Sequence, residues 1–159
     1  MIQGIWELPQ NLVGILVMMI LIPKIRQIHR WRQRILIRIS GFGVSLGSFI
    51  FWYDPGPATC RNRTDILRHE LGHSVQSKIL GPLYLLIVGI PSACRYLYAL
   101  RYFQAKKQVW TGYYHGYPEA WADRLGYGLD LPEQPGASAD ADHINHPSKR
   151  GVLYGNQKD

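Results

Sequence analysis

The chain has 159 residues, 47% of them hydrophobic and only 18% charged, with a formal charge of +7. That length suits one domain and is short for two, and two cysteines, Cys60 and Cys94, are too few for a disulfide framework. Residues 1–129 carry fifteen Lys/Arg against six Asp/Glu without any nucleic-acid module pattern, so the basic excess points to an anionic membrane surface and no nucleic-acid partner is expected.

Residues 5–23 are mostly apolar, and the run from 12 to 23 is unbroken. Counting Ile5, Trp6 and Leu8 brings the segment near the ~20 residues that cross a bilayer. Residues 1–23 are therefore expected to form an N-terminal membrane segment. Lys24, Arg26, Arg30, Arg32, Arg34 and Arg38 follow with no acid among them, which keeps the rest of the chain in the cytoplasm by the positive-inside rule. A buried core helix and a helix lying in the interface are the alternatives.

Residues 35–40 and 44–53 are rich in β-branched and aromatic types and are separated by Gly41-Phe42-Gly43, which predicts a β-hairpin or a small sheet. A sheet edge beside a metal helix can take a substrate peptide as an added strand. Asp54-Pro55-Gly56-Pro57 turns the chain, and Cys60 then leads toward a helix expected over 64–80. Thr64 or Asp65 can cap its start, Gly81 and Pro82 stop it, and Leu67, Leu71, Val75 and Ile79 step by four along a core-facing stripe.

That helix carries His69-Glu70-Leu71-Gly72-His73, an H-E-x-x-H word. Residues four apart share a helix face, so His69 and His73 can offer two imidazole nitrogens to one metal ion. Glu70 sits beside them as a carboxylate able to take a proton from an attacking water.

After Gly81-Pro82, residues 83–90 are apolar but too short to span, and a helical run continues past Pro91 to Gln104 with Arg95 and Arg101. A re-entrant or helical-hairpin element is expected here. Tyr96, Tyr98, Tyr102, Phe103, Trp110, Tyr113, Tyr114, Tyr117 and Trp121 suit a headgroup-level belt or ordinary aromatic packing.

A short helix over 117–126 has Pro118 near its start and Gly126 near its end. Its Glu119 and Asp123 are four apart, a repulsive pair unless a cation or a donor is shared. Three residues can complete a metal site: Glu119, His115 and Asp123. With Glu119 on the metal, Asp123 is free to accept from the non-ligating N–H of a histidine. Residues 130–159 have few large apolar groups and no period, and a disordered tail is expected, including His143 and His146.

The words at 69–73 and 119–123 together are similar to the H-E-x-x-H … E-x-x-x-D pattern of gluzincin metallopeptidases, including membrane-embedded prenyl-protein endopeptidases and heat-shock membrane proteases. The resemblance implies Zn2+ held by His69, His73 and Glu119, with Glu70 as general base and Asp123 orienting a ligand. Leu8-Pro9-Gln10-Asn11, the Ser45-Leu46-Gly47 and Phe49-Ile50-Phe51 words, and Leu80-Gly81-Pro82-Leu83-Tyr84-Leu85 followed by Gly89-Ile90-Pro91-Ser92 resemble a little-described group of small bacterial membrane proteins. The pattern supplies no obvious oxyanion-stabilising His or Arg after the second helix, which leaves Tyr113, Tyr114 and His115 as candidate donors.

The expected architecture is α+β, a minimal zincin-like domain over 24–129 with the membrane segment 1–23 before it and the tail 130–159 after it. The expected function is a membrane-associated zinc metalloprotease acting on peptide or protein substrates at a lipid bilayer, in a bacterial inner membrane with its site toward the cytoplasm. The alternative is a non-catalytic, zinc-stabilised membrane protein that binds a partner or serves as a scaffold.

Overall fold

Four short strands and five α-helices make up residues 2–54 and 61–131, the part of the chain that the computed structural model describes. Strands β1 (Ile25–Trp31), β2 (Arg34–Ile39), β3 (Val44–Leu46) and β4 (Phe49–Tyr53) form one mixed sheet in the order β1-β2-β4-β3. The β1–β2 and β3–β4 pairs are antiparallel, whereas β2 and β4 run parallel in register from Ile35–Phe49 to Ile39–Tyr53. The small-sheet expectation therefore holds, with 35–39 paired to 49–53 in parallel, while the direct hairpin between 35–40 and 44–53 is replaced by the hairpins β1–β2 and β3–β4. Gly47, at φ 60°, takes the left-handed conformation that glycine tolerates best and divides 44–53 into two strands. β1 lies in the basic stretch that had been read only as a flank to a membrane segment.

Alternation along β2 and β4 sends side chains to both faces of the sheet. Ile37, Ile39, Phe49 and Phe51 join Leu21 and Leu46 on one face, with Val17 and Met18 of helix α2 (Leu8–Leu21) packed on them. Leu36, Ile50 and Trp52 join Ile66, Leu67 and Leu71 of helix α3 (Arg63–Leu80) on the other. Each such side chain, fully buried, contributes about 1.5–3 kcal/mol. The result is a sheet held between α2 and α3.

The membrane-spanning expectation is overturned. No helix among the described residues is long and apolar enough to cross a membrane. Helix α1 (Ile2–Trp6) is separate from α2, and the 14 residues of α2 reach about 21 Å against a hydrocarbon core of about 30 Å. The break is at Glu7, which is buried against Arg34 with carboxylate-to-guanidinium distances of 3.1–3.2 Å. Arg34 had been counted among the charges flanking a membrane, yet it is a core residue. The re-entrant element is also absent: Gly81–Leu83, a π-helical turn Leu85–Gly89 and helix α4 (Ile90–Lys106) follow one another. Pro91 directly follows the π-helical turn, and the backbone stays right-handed helical from Tyr84 through Lys106, so the chain continues forward instead of reversing.

Helix α3 starts one residue before the expected 64–80. Its cap is Asn62, whose side chain accepts from the Asp65 N–H at 2.8 Å, and Gly81 at φ 52° ends it. The stripe holds for Leu67 and Leu71, but Ile79 is exposed. Polar residues Ser74, Gln76 and Ser77 are buried in its place. Cys94 is a free, exposed thiol. Cys60, the Pro-Gly turn before it, and the tail from residue 132 with His143 and His146 lie outside the described residues.

Candidate metal centre

Two glycines bring the helices of the site together. A Cβ on Gly72 of α3 would overlap the Ala122 carbonyl oxygen of helix α5 (Glu119–Tyr127), and one on Gly126 would overlap the carbonyl of Arg68. Without side chains at these points the two backbones touch, and the first turn of α5 is carried over the His69–His73 face of α3.

There His69 Nε2 lies 2.9 Å from Glu119 Oε2, His73 Nε2 lies 3.1 Å from the same oxygen, and the two Nε2 atoms are 3.2 Å apart. All three residues are buried, and their ligand atoms can hold one metal ion. The far nitrogens are occupied: His69 Nδ1 is 2.8 Å from Asp123 Oδ1, and His73 Nδ1 is 2.7 Å from Gln76 Oε1. Both partners are acceptors, so each Nδ1 carries the proton and donates it. Each Nε2 is the nitrogen turned to the centre, and it offers a metal its lone pair once any proton on it is displaced. Gln76 is itself fixed by donating to the Pro118 carbonyl at 3.1 Å. Asp123 also accepts two bonds from Arg61, at 2.8 and 2.6 Å. Arg61 in turn sits 3.4 Å above the centre of the Tyr114 ring, whose edge meets His69.

Charge explains the titration of these groups. Burial alone would lower His69, but its bonds to Asp123 and Glu119 outweigh that and hold it at about 9 in the absence of a metal. Burial likewise raises Glu119, and hydrogen bonds from His69 and His73 overcome it, leaving the carboxyl far below its usual range. Asp123 is also raised by burial, yet the Arg61 and His69 bonds bring it down to about 2. Glu70 has no such donor, and burial pushes its carboxyl up. Burial likewise keeps the Tyr113 and Tyr114 hydroxyls protonated.

Glu70 Oε2 and Glu119 Oε1 are buried with no hydrogen-bond partner among the described residues. Both are acceptors, so the centre has an excess of negative and lone-pair character that a cation relieves. Glu70 lies against Gly43, where any Cβ would collide with its carboxylate. It also lines a cavity of about 490 Å³ together with His69, His73, Tyr113 and the β3 residues Val44 to Leu46.

Of the three candidates for a third ligand, the structure brings Glu119 to the histidines and places Asp123 behind His69. His115 is exposed and outside the group. Among the candidate oxyanion donors, Tyr113 reaches the cavity and Tyr114 packs on His69 and Arg61. Sequence reasoning missed Gln76, although its place three residues after His73 puts it on the same helix face. It also missed Arg61, for which no sequence spacing gives a signal, and the Gly72–Ala122 contact, whose only trace is small residues on both helices. No protein-family model matches this chain, and comparison with curated proteins and with solved structures gives no match either. The gluzincin resemblance therefore stands on its two motifs alone.

Proposed function

We propose that the chain is a zinc-dependent metallopeptidase of gluzincin type that hydrolyses peptide bonds. The observation that carries this reading is the convergence of His69 Nε2, His73 Nε2 and Glu119 Oε2 beside an unpartnered Glu70 on a cavity. The donor set suits zinc: two imidazoles and a carboxylate are the protein ligands of a catalytic site that keeps one position for water, and four-coordinate zinc sets its ligands about 3.3 Å apart. When bound, zinc lowers the pKa of water to about 7 and polarises a carbonyl oxygen.

The remaining work falls to side chains of the protein. Glu70, with its free carboxylate oxygen and its raised affinity for a proton, takes the proton of the attacking water and returns it to the leaving amine. Tyr113, protonated at any working pH, supplies a donor for charge that develops on the substrate oxygen. β3 lines the cavity, and its Ser45 carbonyl already accepts from the Tyr84 hydroxyl at 2.8 Å, so a substrate reaches the centre through the cavity and not as a strand added to β3. Asp123 and Gln76 hold the two imidazoles in one tautomer and one orientation. A purely structural staple is disfavoured because Gly72 and Gly126 already join the helices backbone to backbone.

The test compares the zinc-loaded chain with Glu70→Gln on a mixed peptide library read by mass spectrometry. The chain should cleave, lose cleavage with a chelator and regain it with zinc. Glu70→Gln should keep one zinc per chain and lose about 10²–10⁴-fold in turnover. Cleavage that survives Glu70→Gln, or none by the zinc-loaded chain on any peptide, would overturn the assignment.

A further inference from the structure

Most of the large apolar side chains that the fold leaves exposed among the described residues lie on α2, on α4 and on the turns leading into α4. In α2, Leu12, Leu16, Met19 and Ile20 recur at helical spacing, and each is more than half exposed. In and before α4, Leu83, Leu86, Ile90 and Leu97 are also more than half exposed, and no residue of α4 is buried. Both helices border the cavity of the metal centre, α2 through Val13 and Val17 and α4 through Ile90, Ala93 and Tyr96. Soluble monomers seldom show so many large apolar groups on adjoining elements.

Charge selects what covers them. The sequence has no acidic residue from 8 to 53 and none from 71 to 118. Exposed cations stand at the ends of both helices: Lys24 and Arg26 follow α2, while Arg101, Lys106 and Lys107 lie at the end of α4. A second copy of this surface would bring cation to cation with no acid to pair them. The chain's own segment 132–159 has only four large apolar residues, Ile144, Val152, Leu153 and Tyr154. An anionic lipid surface answers both features at once, because acyl chains take the apolar stripe and phosphate groups take the flanking cations.

We propose that the α2–α4 side is a docking surface for an anionic bilayer, with both helices lying in the plane of the interface and neither crossing it. The cavity they border then opens at the lipid–water boundary. This inference is independent of the hydrolytic reading, since neither the metal ligands nor turnover enters its measurement.

The experiment is flotation of the full chain with vesicles of phosphatidylcholine alone or with added phosphatidylglycerol, paired with sedimentation analysis for self-association. The chain should float with the phosphatidylglycerol vesicles and far less with phosphatidylcholine, and rising salt should weaken the binding. Changing Arg101, Lys106 and Lys107 to Gln should cost about fivefold in partitioning per cation removed. Leu12→Gln with Leu16→Gln should also release the chain. These positions are exposed, and an unchanged circular-dichroism spectrum and thermal transition in each variant report that it folds. Equal flotation with both vesicle types would overturn the proposal. So would a discrete dimer that excludes vesicles and is broken by Leu16→Gln, or no flotation by a folded chain.

Discussion

Helix α3 carries two buried polar centres about a turn apart, and they are completed in opposite ways. At one, Arg34 meets Glu7 in a bidentate pair and donates to the carbonyls of Gly47 and Ser74, while Ser77 donates to Glu7 and Gln10 donates to Ser77 and to the Gly81 carbonyl. One cation and one anion cancel there. At the other, Glu70, Glu119 and Asp123 gather around two histidines, and among the described residues Arg61, bonded to Asp123, is the fixed cation there. The unpartnered atoms mark the contrast: Arg34 Nε and Gln10 Oε1 are a donor and an acceptor, whereas Glu70 Oε2 and Glu119 Oε1 are both acceptors. The first centre is closed by the chain itself. The second has room for a cation from outside, since its three ligand atoms could hold a metal ion.

The largest effect should come from opening the closed centre. Arg34→Met leaves the Glu7 carboxylate buried without its partner, at an expected cost of about 3–5 kcal/mol of folding stability in denaturant titration. Adding Glu7→Leu should recover much of that loss, since the cost lies in the orphaned charge. Metal affinity of the folded fraction should not change in either variant.

At the open centre the order reverses. Glu119→Ala should cost metal affinity more than about 100-fold, beyond what loss of an outer partner produces, while His115→Ala should keep the metal because His115 is exposed and remote from the group. Survival of binding in Glu119→Ala with loss in His115→Ala would remove the ligand assignment. Asp123→Ala and Gln76→Ala each free one imidazole to turn, and isothermal titration should find affinity lower by about 10–100-fold in each.

The smallest effect is one of pH, and it should carry opposite signs in the two forms of the protein. Without metal, His69 titrates near 9 against an ordinary 6.5, so the stability it contributes is complete below 6.5 and is lost as pH rises toward 9. A metal needs the neutral Nε2. Below about 9 each binding event therefore releases the His69 proton, and apparent affinity should rise about tenfold per pH unit. Calorimetry in buffers of different ionisation heat should count close to one proton released at pH 7. A count of zero would mean that His69 is neutral before the metal arrives.

These centres also show what was legible in the sequence. The metal helix and its partner were readable because ligands at i and i+4 must share a face, and that rule needs no tertiary knowledge. The α+β class followed from the runs at 35–40 and 44–53, rich in β-branched and aromatic residues, set before the metal helix. The closed centre was not readable. Glu7 lay unremarked inside the expected membrane segment and Arg34 was one of six flanking charges, because a pair separated by 27 residues leaves no periodic trace. Missing that pair is what turned two short helices into one expected span. β1 was missed for a related reason: its alternation of half-buried and exposed residues runs through Arg26, Gln27, His29 and Arg30, and the arginine charges drew the reading toward a membrane flank.

The most direct measurement is X-ray absorption at the zinc edge, with metal content, on the full chain purified without added metal or chelator. An open catalytic centre predicts one zinc per chain bound by two imidazole nitrogens, one carboxylate oxygen and one water oxygen, with the water replaced by an added hydroxamate. A chain that takes up no stoichiometric metal, or that holds zinc through four protein ligands unmoved by hydroxamate, would contradict it.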